Sequence, residues 1–255
     1  MSLKPYDSVG FSPKLSEALT GCGVWIPRPK TLSHSLKEAI EIYGGTPLCY
    51  PTVEIKPIPF LEPALSPDIW IVVSQHAAMQ AGPWRDKIVL AVGEATAQAL
   101  RARKIRVSFV PDAPGSEPLV QQAPQLQAIS GKVIGILTGK GGRRGAWDTL
   151  VARGAKVHIV ECYERLLPPI FSDWEQWRSA CRAIVVSSQE VLDNAYTCLQ
   201  SDAGKTWLSG LVGVTVSLRL YEANCQQYPA QSFILADSPH DADVVAALTD
   251  WWEKR

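Results

Sequence analysis

The chain has 255 residues, 46% of them hydrophobic and 20% charged, and its 25 Lys+Arg balance 25 Asp+Glu to a formal net charge of zero. That is the composition of a globular protein with a full core, and the missing basic excess excludes a nucleic-acid binder of the usual kind. No run approaches the roughly 18 apolar residues of a membrane span and no signal-peptide core opens the chain, so a cytoplasmic protein without membrane association is expected.

The first 22 residues read as an extension or surface helix, with a weak helical pattern only at Pro13–Leu19. Val24–Ile26 opens the first strand and runs into Pro27, Arg28 and Pro29; Leu36, Ala39, Ile40 and Tyr43 then share one helical face. Gly44–Gly45 ends that helix before a strand at Leu48–Tyr50. Pro51, Pro57, Pro59, Pro63 and Pro67 follow, an extended and donor-poor stretch that reads as linker plus loop. Ile69–Val73 is a strand ending in Ser74–Gln75. Ile88–Val92 is the next, with Gly93 to Thr96 opening a helix through Leu100. Val107–Val110 reads as a further strand, and a helix from Ser116 is interrupted by Pro124.

Val133–Leu137 is a short apolar strand. It leads into Gly139–Lys140–Gly141–Gly142–Arg143, whose glycines allow a sharp turn and close approach to a ligand. Trp147, Leu150 and Val151 recur at helical spacing, Gly154 fits a helix C-cap, and Tyr163 falls just past a strand at Val157–Val160. Leu166 to Pro169 is a second linker, followed by a helix carrying Trp174 and Trp177. Ala183–Val186 runs into Ser187–Ser188, and Val212–Val216 into Ser217, Leu218 and Arg219. Phe233–Ala236 is the last strand and Ala242–Trp252 the last helix.

Ten strands alternating with helices predict an α/β fold with parallel sheets covered by helices on both faces. Two five-stranded sheets suit that number better than one. IVVSQ at Ile71–Gln75 echoes IVVSSQ at Ile184–Gln189, and the segment Val24–Tyr50 echoes Val133–Tyr163, which suggests a duplication.

The chemistry is narrowed first by exclusion. G-x-S-x-G, the P-loop and G-x-G-x-x-G with its acidic partner are all missing. Cys22, Cys49, Cys162, Cys181, Cys198 and Cys225 form no C-x-x-C pair and read as small buried hydrophobes. With scattered His34, His76, His158 and His240 they offer no metal-ligand spacing, so no metal is expected. What remains is a set of polar residues at strand ends: Arg28, Ser74, Gln75, Gly93, Thr96, Arg143, Tyr163, Ser187, Ser188, Ser217 and Arg219. Ligands of parallel sheets sit beyond the carboxyl ends of the strands, and hydroxyls, arginines and helix N-terminal N–H groups there suit a polar, anionic ligand. Each serine also fits a plain helix N-cap, Arg28 and Arg219 fit surface ion pairs, and Tyr163 fits a linker residue packing one lobe on another. A two-lobed binding protein without chemistry is the alternative from another class.

The chain resembles the uroporphyrinogen-III synthase family along most of its length. The resemblance is carried by Arg28–Pro29, Ser74 after IWIVV, AVGEATAQAL at Ala91–Leu100, Ser116–Glu117, GKGGR at Gly139–Arg143 with DTLVARGAKV after it, ECYER at Glu161–Arg165, VVSS at Val185–Ser188 and VSLRL at Val216–Leu220. It implies two flavodoxin-like lobes joined by a two-stranded linker. One lobe would be residues 1–51 plus 167–255, the other 53–163. It implies a cofactor-free, monomeric lyase that takes hydroxymethylbilane, a linear tetrapyrrole, with a transient hand-over from hydroxymethylbilane synthase. The enzyme would expel the terminal hydroxyl as water, invert the last ring and close the macrocycle to uroporphyrinogen III. Tyr163 matches the tyrosine that assists departure of the hydroxyl, and the other strand-end residues would hold substrate. The match is weakest at Leu218–Arg219, where other branches carry glycine and threonines.

Overall fold

The computed structural model describes residues 17–84, 86–142 and 144–255. They form two compact units, one joining the residues up to Glu54 to Leu167–Arg255, the other spanning Ile55–Leu166. The first unit opens with β1 (Gly23–Ile26), α1 (His34–Ile42) and β2 (Thr46–Cys49). Then come β3 (Glu54–Pro57), β4 (Ile69–Val72), α2 (Gln75–Gln80), β5 (Ile88–Ala91), α3 (Glu94–Ala102), α4 (Ser116–Gln122), β6 (Val133–Gly139), α5 (Gly145–Ala152) and β7 (Lys156–Leu166). The chain re-enters the first unit through a 3-10 helix at Ser172–Trp177. It continues as β8 (Cys181–Val186), α6 (Gln189–Cys198), α7 (Asp202–Ser209), β9 (Val212–Thr215), α8 (Leu218–Gln227), β10 (Phe233–Leu235) and α9 (Asp241–Trp252).

Each unit holds one five-stranded sheet, ordered β10-β9-β8-β1-β2 in the first and β3-β7-β6-β4-β5 in the second. The pairs β1–β2, β1–β8, β8–β9 and β9–β10 are parallel, as are β4–β5, β4–β6 and β6–β7. Numbered within its unit, the first sheet reads 2-1-3-4-5, a doubly wound order. The second repeats 2-1-3-4 and fills the outer place with β3. Both faces of each sheet are buried, so the strands read as apolar runs. Alternate residues feed opposite cores: Trp25 faces one and Val24 and Ile26 the other, and likewise Trp70 and Val72 against Ile69 and Ile71.

Several sequence expectations are corrected. Ten strands form among the described residues, but with a different membership. Val107–Val110 is no strand; it makes a single bridge from Phe109 to Leu90 before Pro111 ends the approach. The missing strand is β3, inside the proline-rich stretch read as linker and loop. An edge strand bonds on one side only, so Pro57 is tolerated there, as Pro47 is in the opposite edge strand β2 of the first unit. β7 runs on to Leu166, so Tyr163 lies within a strand rather than past its end. The helix expected to carry Trp174 and Trp177 is there, as a 3-10 helix. Leu19 and Cys22, read as part of a lead-in, are fully buried in the first unit; the rest of the weak helical pattern, from Pro13 to Ser16, lies outside the described residues. The echoing strings sit at non-equivalent places: β4 is the first strand of its 2-1-3-4 order and β8 the third. The likeness reflects shared strand-to-helix chemistry, since Ser74 and Ser188 are both N-caps.

The chain leaves and re-enters the first unit beside one aromatic cluster. Trp25 donates its indole N–H to Tyr50 O at 2.8 Å, the Tyr50 hydroxyl donates to Pro169 O, and the Tyr50 and Phe171 rings stack at 4.0 Å. In the second unit Gly135 is closely packed: a Cβ there would lie 2.6 Å from two ring atoms of Trp70. Trp70 is itself stacked on Trp84 at 4.2 Å and cannot yield freely. Gly135→Ala should therefore destabilise the protein by about 1–3 kcal/mol through overpacking, read as a lower urea midpoint.

Candidate active site

In the second unit the chain order reverses between β4 and β6, the point at which doubly wound sheets bind ligands. Their carboxyl ends deliver Val73–Ser74 from one side and Gly139–Gly142 from the other. Ser74 is extended and caps α2, its Oγ accepting the Ala77 N–H at 3.0 Å. The turn after β6 is fixed by its own backbone. Gly142 N–H donates to Gly139 O, Lys140 N–H to Tyr163 O at 2.8 Å, and Gly141 N–H to the Glu161 carboxylate at 3.0 Å. Gly141 has φ +71°, which favours glycine.

Tyr163 is placed by a slip in register. Thr138 pairs with Glu161, but Gly139 pairs with Tyr163, so β7 carries one residue more than β6 at this point. The extra residue is Cys162, whose thiol points into the core and donates to Thr138 O at 3.3 Å. Burial pushes that thiol up to about 12, so it stays protonated and is no nucleophile. Tyr163 is 2% exposed, with its ring directly over Gly139. A Cβ on Gly139 would fall 2.6 Å from Cζ and 2.9 Å from the phenol oxygen. The phenol oxygen lies 3.1 Å from Ser74 Oγ, and either group can donate. Arg165 sits over the ring at 5.8 Å and His76 packs against it at 5.5 Å between centroids.

Ser74, Tyr163, Arg165 and the glycine turn line a cleft of about 280 Å³ with Ser116, Thr138, Lys140 and Trp147; Lys140 and Arg165 bring positive charge, and no carboxylate lines it among the described residues. Of the residues expected from the sequence, Ser74 and Tyr163 meet here. Gln75 begins α2, Gly93 caps α3 and Thr96 is buried on that helix, but none of the three lines the cleft. Arg143 lies outside the described residues. In the first unit Ser188 and Ser217 cap α6 and α8, Ser187 precedes the first of these, and Arg219 is exposed on α8. Arg28 is held in a 2.6 Å ion pair with Asp241, as its surface ion-pair reading allowed. Thr138, Lys140 and Arg165 were not singled out from the sequence, although Lys140 and Arg165 lie in the GKGGR and ECYER strings.

Together, fold and cleft define a two-unit, doubly wound α/β protein with a phenol–hydroxyl pair and two cations at a switch point. The family model for uroporphyrinogen-III synthase HemD matches residues 34–246. The chain belongs to the uroporphyrinogen-III synthase family. It is 28% identical over 244 residues to uroporphyrinogen-III synthase of Escherichia coli, and 30% identical over 245 residues to that of Salmonella typhimurium. Each match covers 88% of this chain and 99% of the relative. Its fold is similar to that of the Helicobacter pylori enzyme (TM-score 0.61, 14% identity, 90% of this chain and 99% of that one). It is also similar to a Thermus thermophilus mutant enzyme (TM-score 0.56, 16% identity, 92% and 100%).

His76 gives this site a pH signature. It is 9% exposed and its Nε2 has no hydrogen-bond partner among the described residues. Burial, and then the charge of Arg165, lower its pKa below the ordinary 6.5. Below that ordinary value the unfolded chain takes up a proton that the folded one refuses. The stability held by neutral His76 is thus complete above about 6.5 and is lost as pH falls through the folded pKa. His76→Phe should flatten this part of the profile, seen as a wild-type-minus-variant stability difference that shrinks or reverses on acidification in urea melts.

Proposed function

We infer that this protein is a uroporphyrinogen-III synthase, which converts hydroxymethylbilane to uroporphyrinogen III with loss of water and inversion of the last ring. The observation that carries the reading is the Ser74–Tyr163 pair at the switch point, in a cleft whose charged lining groups are both cations. Breaking the terminal C–O bond requires a proton for the departing hydroxyl, and Tyr163 is proposed as the donor that supplies it. Ser74 sets the direction of that proton, and the resulting phenolate is neutralised by the proton released when the macrocycle closes. Lys140 and Arg165 suit the carboxylates of the substrate. The backbone N–H groups after Ser74, Gly93, Ser187 and Ser217 are proposed as further carboxylate contacts. Gln75, Thr96, Arg143, Ser188 and Arg219 remain proposed substrate contacts. Arg28 would have to exchange Asp241 for a substrate carboxylate. We further propose that the two units are the flavodoxin-like lobes of a cytoplasmic, monomeric and cofactor-free enzyme, supplied by transfer from hydroxymethylbilane synthase. A binding protein without chemistry is not favoured, because the family match runs nearly end to end.

Incubation with hydroxymethylbilane should give mainly the III isomer; only the spontaneously formed I isomer would sink the reading. The pyrrole nitrogen can itself push the hydroxyl out, so an assisting acid is worth less here than in the general case. Tyr163→Phe should slow turnover by no more than about 10²-fold, the bottom of the usual range, with the III isomer still dominant. Gly139→Ala keeps the phenol but evicts it from its seat, and should lower turnover at least as far, measured in the same assay.

A further inference from the structure

The first unit has a second, larger cleft, of about 550 Å³, at the opposite end of its sheet from the serine caps. Cys181, the first residue of β8, and Gly210 and Leu211, just before β9, form part of its wall. It therefore lies at the amino ends of the strands, away from Ser187, Ser188 and Ser217 at the carboxyl ends. Its charged lining side chains are Arg178, Arg182 and Arg255; no Asp or Glu side chain lines it among the described residues, and none of the three arginines forms an ion pair within them.

Each arginine keeps donors available. Arg182 donates through Nη1 to Cys181 O at 2.9 Å and through Nη2 to Ser179 O at 2.6 Å. That fixes the guanidinium but leaves further N–H groups of the fork unspent. Arg255 lies over the Trp251 ring at 4.7 Å, an arrangement that occupies its face and leaves its in-plane donors free to bond. Arg178 is exposed at the rim. The combined positive field reaches inward: burial raises the Cys22 thiol to about 11, while Arg182 and Arg255 pull the other way.

The fourth feature is independent of charge. Trp207 lines the cleft, and its indole Nε1 is buried with no acceptor among the described residues. Buried indole N–H groups ordinarily have a partner. Trp207 cannot turn readily to find one, because its ring stacks on Trp174 at 5.3 Å and on Trp25 at 5.9 Å. The Nε1 itself is closed to solvent, so a ligand in the cleft meets the Trp207 ring as a fixed wall.

We propose that this cleft is a second anion-binding site, taking a small molecule with two or more carboxylate or phosphate groups, held by Arg178, Arg182 and Arg255 against the wall formed by Trp207. The size suits such a ligand, since small-molecule sites run from about 300 to 1,000 Å³. The site belongs to the first unit and the Tyr163 cleft to the second, and the proposal does not rest on the assigned reaction.

The test uses the full chain labelled with ¹⁵N and follows its indole N–H resonances, with Trp207→Phe assigning one of them. Citrate is the carboxylate probe and inorganic pyrophosphate the phosphate probe. The Trp207 resonance should move in a saturable way with at least one of them, and which one identifies the source of the anion. Arg178→Glu, at an exposed position, should keep the wild-type melting temperature and weaken binding by about tenfold or more, as expected for loss of a charge-assisted contact. Arg255→Glu serves as a second variant. No movement of the Trp207 resonance with either probe overturns the proposal. So does a shift that does not saturate, or an affinity unchanged in both variants.

Discussion

A phenol ring lies flat against a strand only where the strand presents no side chain, and Gly139 is that place. The ring of Tyr163 occupies the space a Cβ would fill, and the register slip beside it determines which residue of β7 arrives there. Without the slip Cys162 would pair with Gly139, and since successive strand residues point to opposite faces, the phenol would turn to the other side of the sheet. The same glycine ends β6 and starts the turn whose N–H groups are tied to Tyr163 O and Glu161. Turn, ring and cap serine therefore hold one another: moving the ring breaks its bond to Ser74, and moving the turn removes its seat.

Elsewhere the site is assembled from ordinary fold chemistry. Ser74, Ser188 and Ser217 are N-caps with near-identical extended backbones, so each is already required by its helix. What distinguishes Ser74 is the second use of its hydroxyl, toward Tyr163. Charge follows a similar economy. The chain is neutral as a whole, yet among the described residues both clefts are lined by cationic side chains and no Asp or Glu. Carboxylates near the Tyr163 cleft act behind its lining. Glu161 holds the turn, and Glu164 faces Lys140 at 3.5 Å and Lys56 at 3.8 Å.

The alternation of strands and helices, and hence the α/β class, was legible because strands buried on both faces are short apolar runs. Legibility failed where burial was one-sided or where a tertiary register decided the outcome. β3 is mostly exposed and carries Pro57, so nothing in its composition marks a strand. Val107–Val110 has the composition of a strand, but only Phe109 finds a partner. Tyr163 could be placed near a rim from its neighbours, yet its position inside β7 depends on pairing with Gly139. Thr138 lines the cleft while reading as one more buried strand residue. The buried, unpartnered indole of Trp207 has no sequence signal at all, since eight other tryptophans look the same in one dimension.

The sheet order also imposes a timetable. Everything the second sheet needs, from β3 in its outer place to β7 beside it, lies in one continuous stretch ending at Leu166. The first sheet has no such luxury: β1 can pair on one side with β2 at once, but its other edge waits for β8, far along the chain. Contacts distant in sequence form slowly, and domains fold as units while the chain is being made. During synthesis the middle of this protein therefore folds before its beginning. Until β8 emerges, β1 presents Trp25 and an unpaired strand edge to its surroundings, the kind of surface on which nascent chains aggregate.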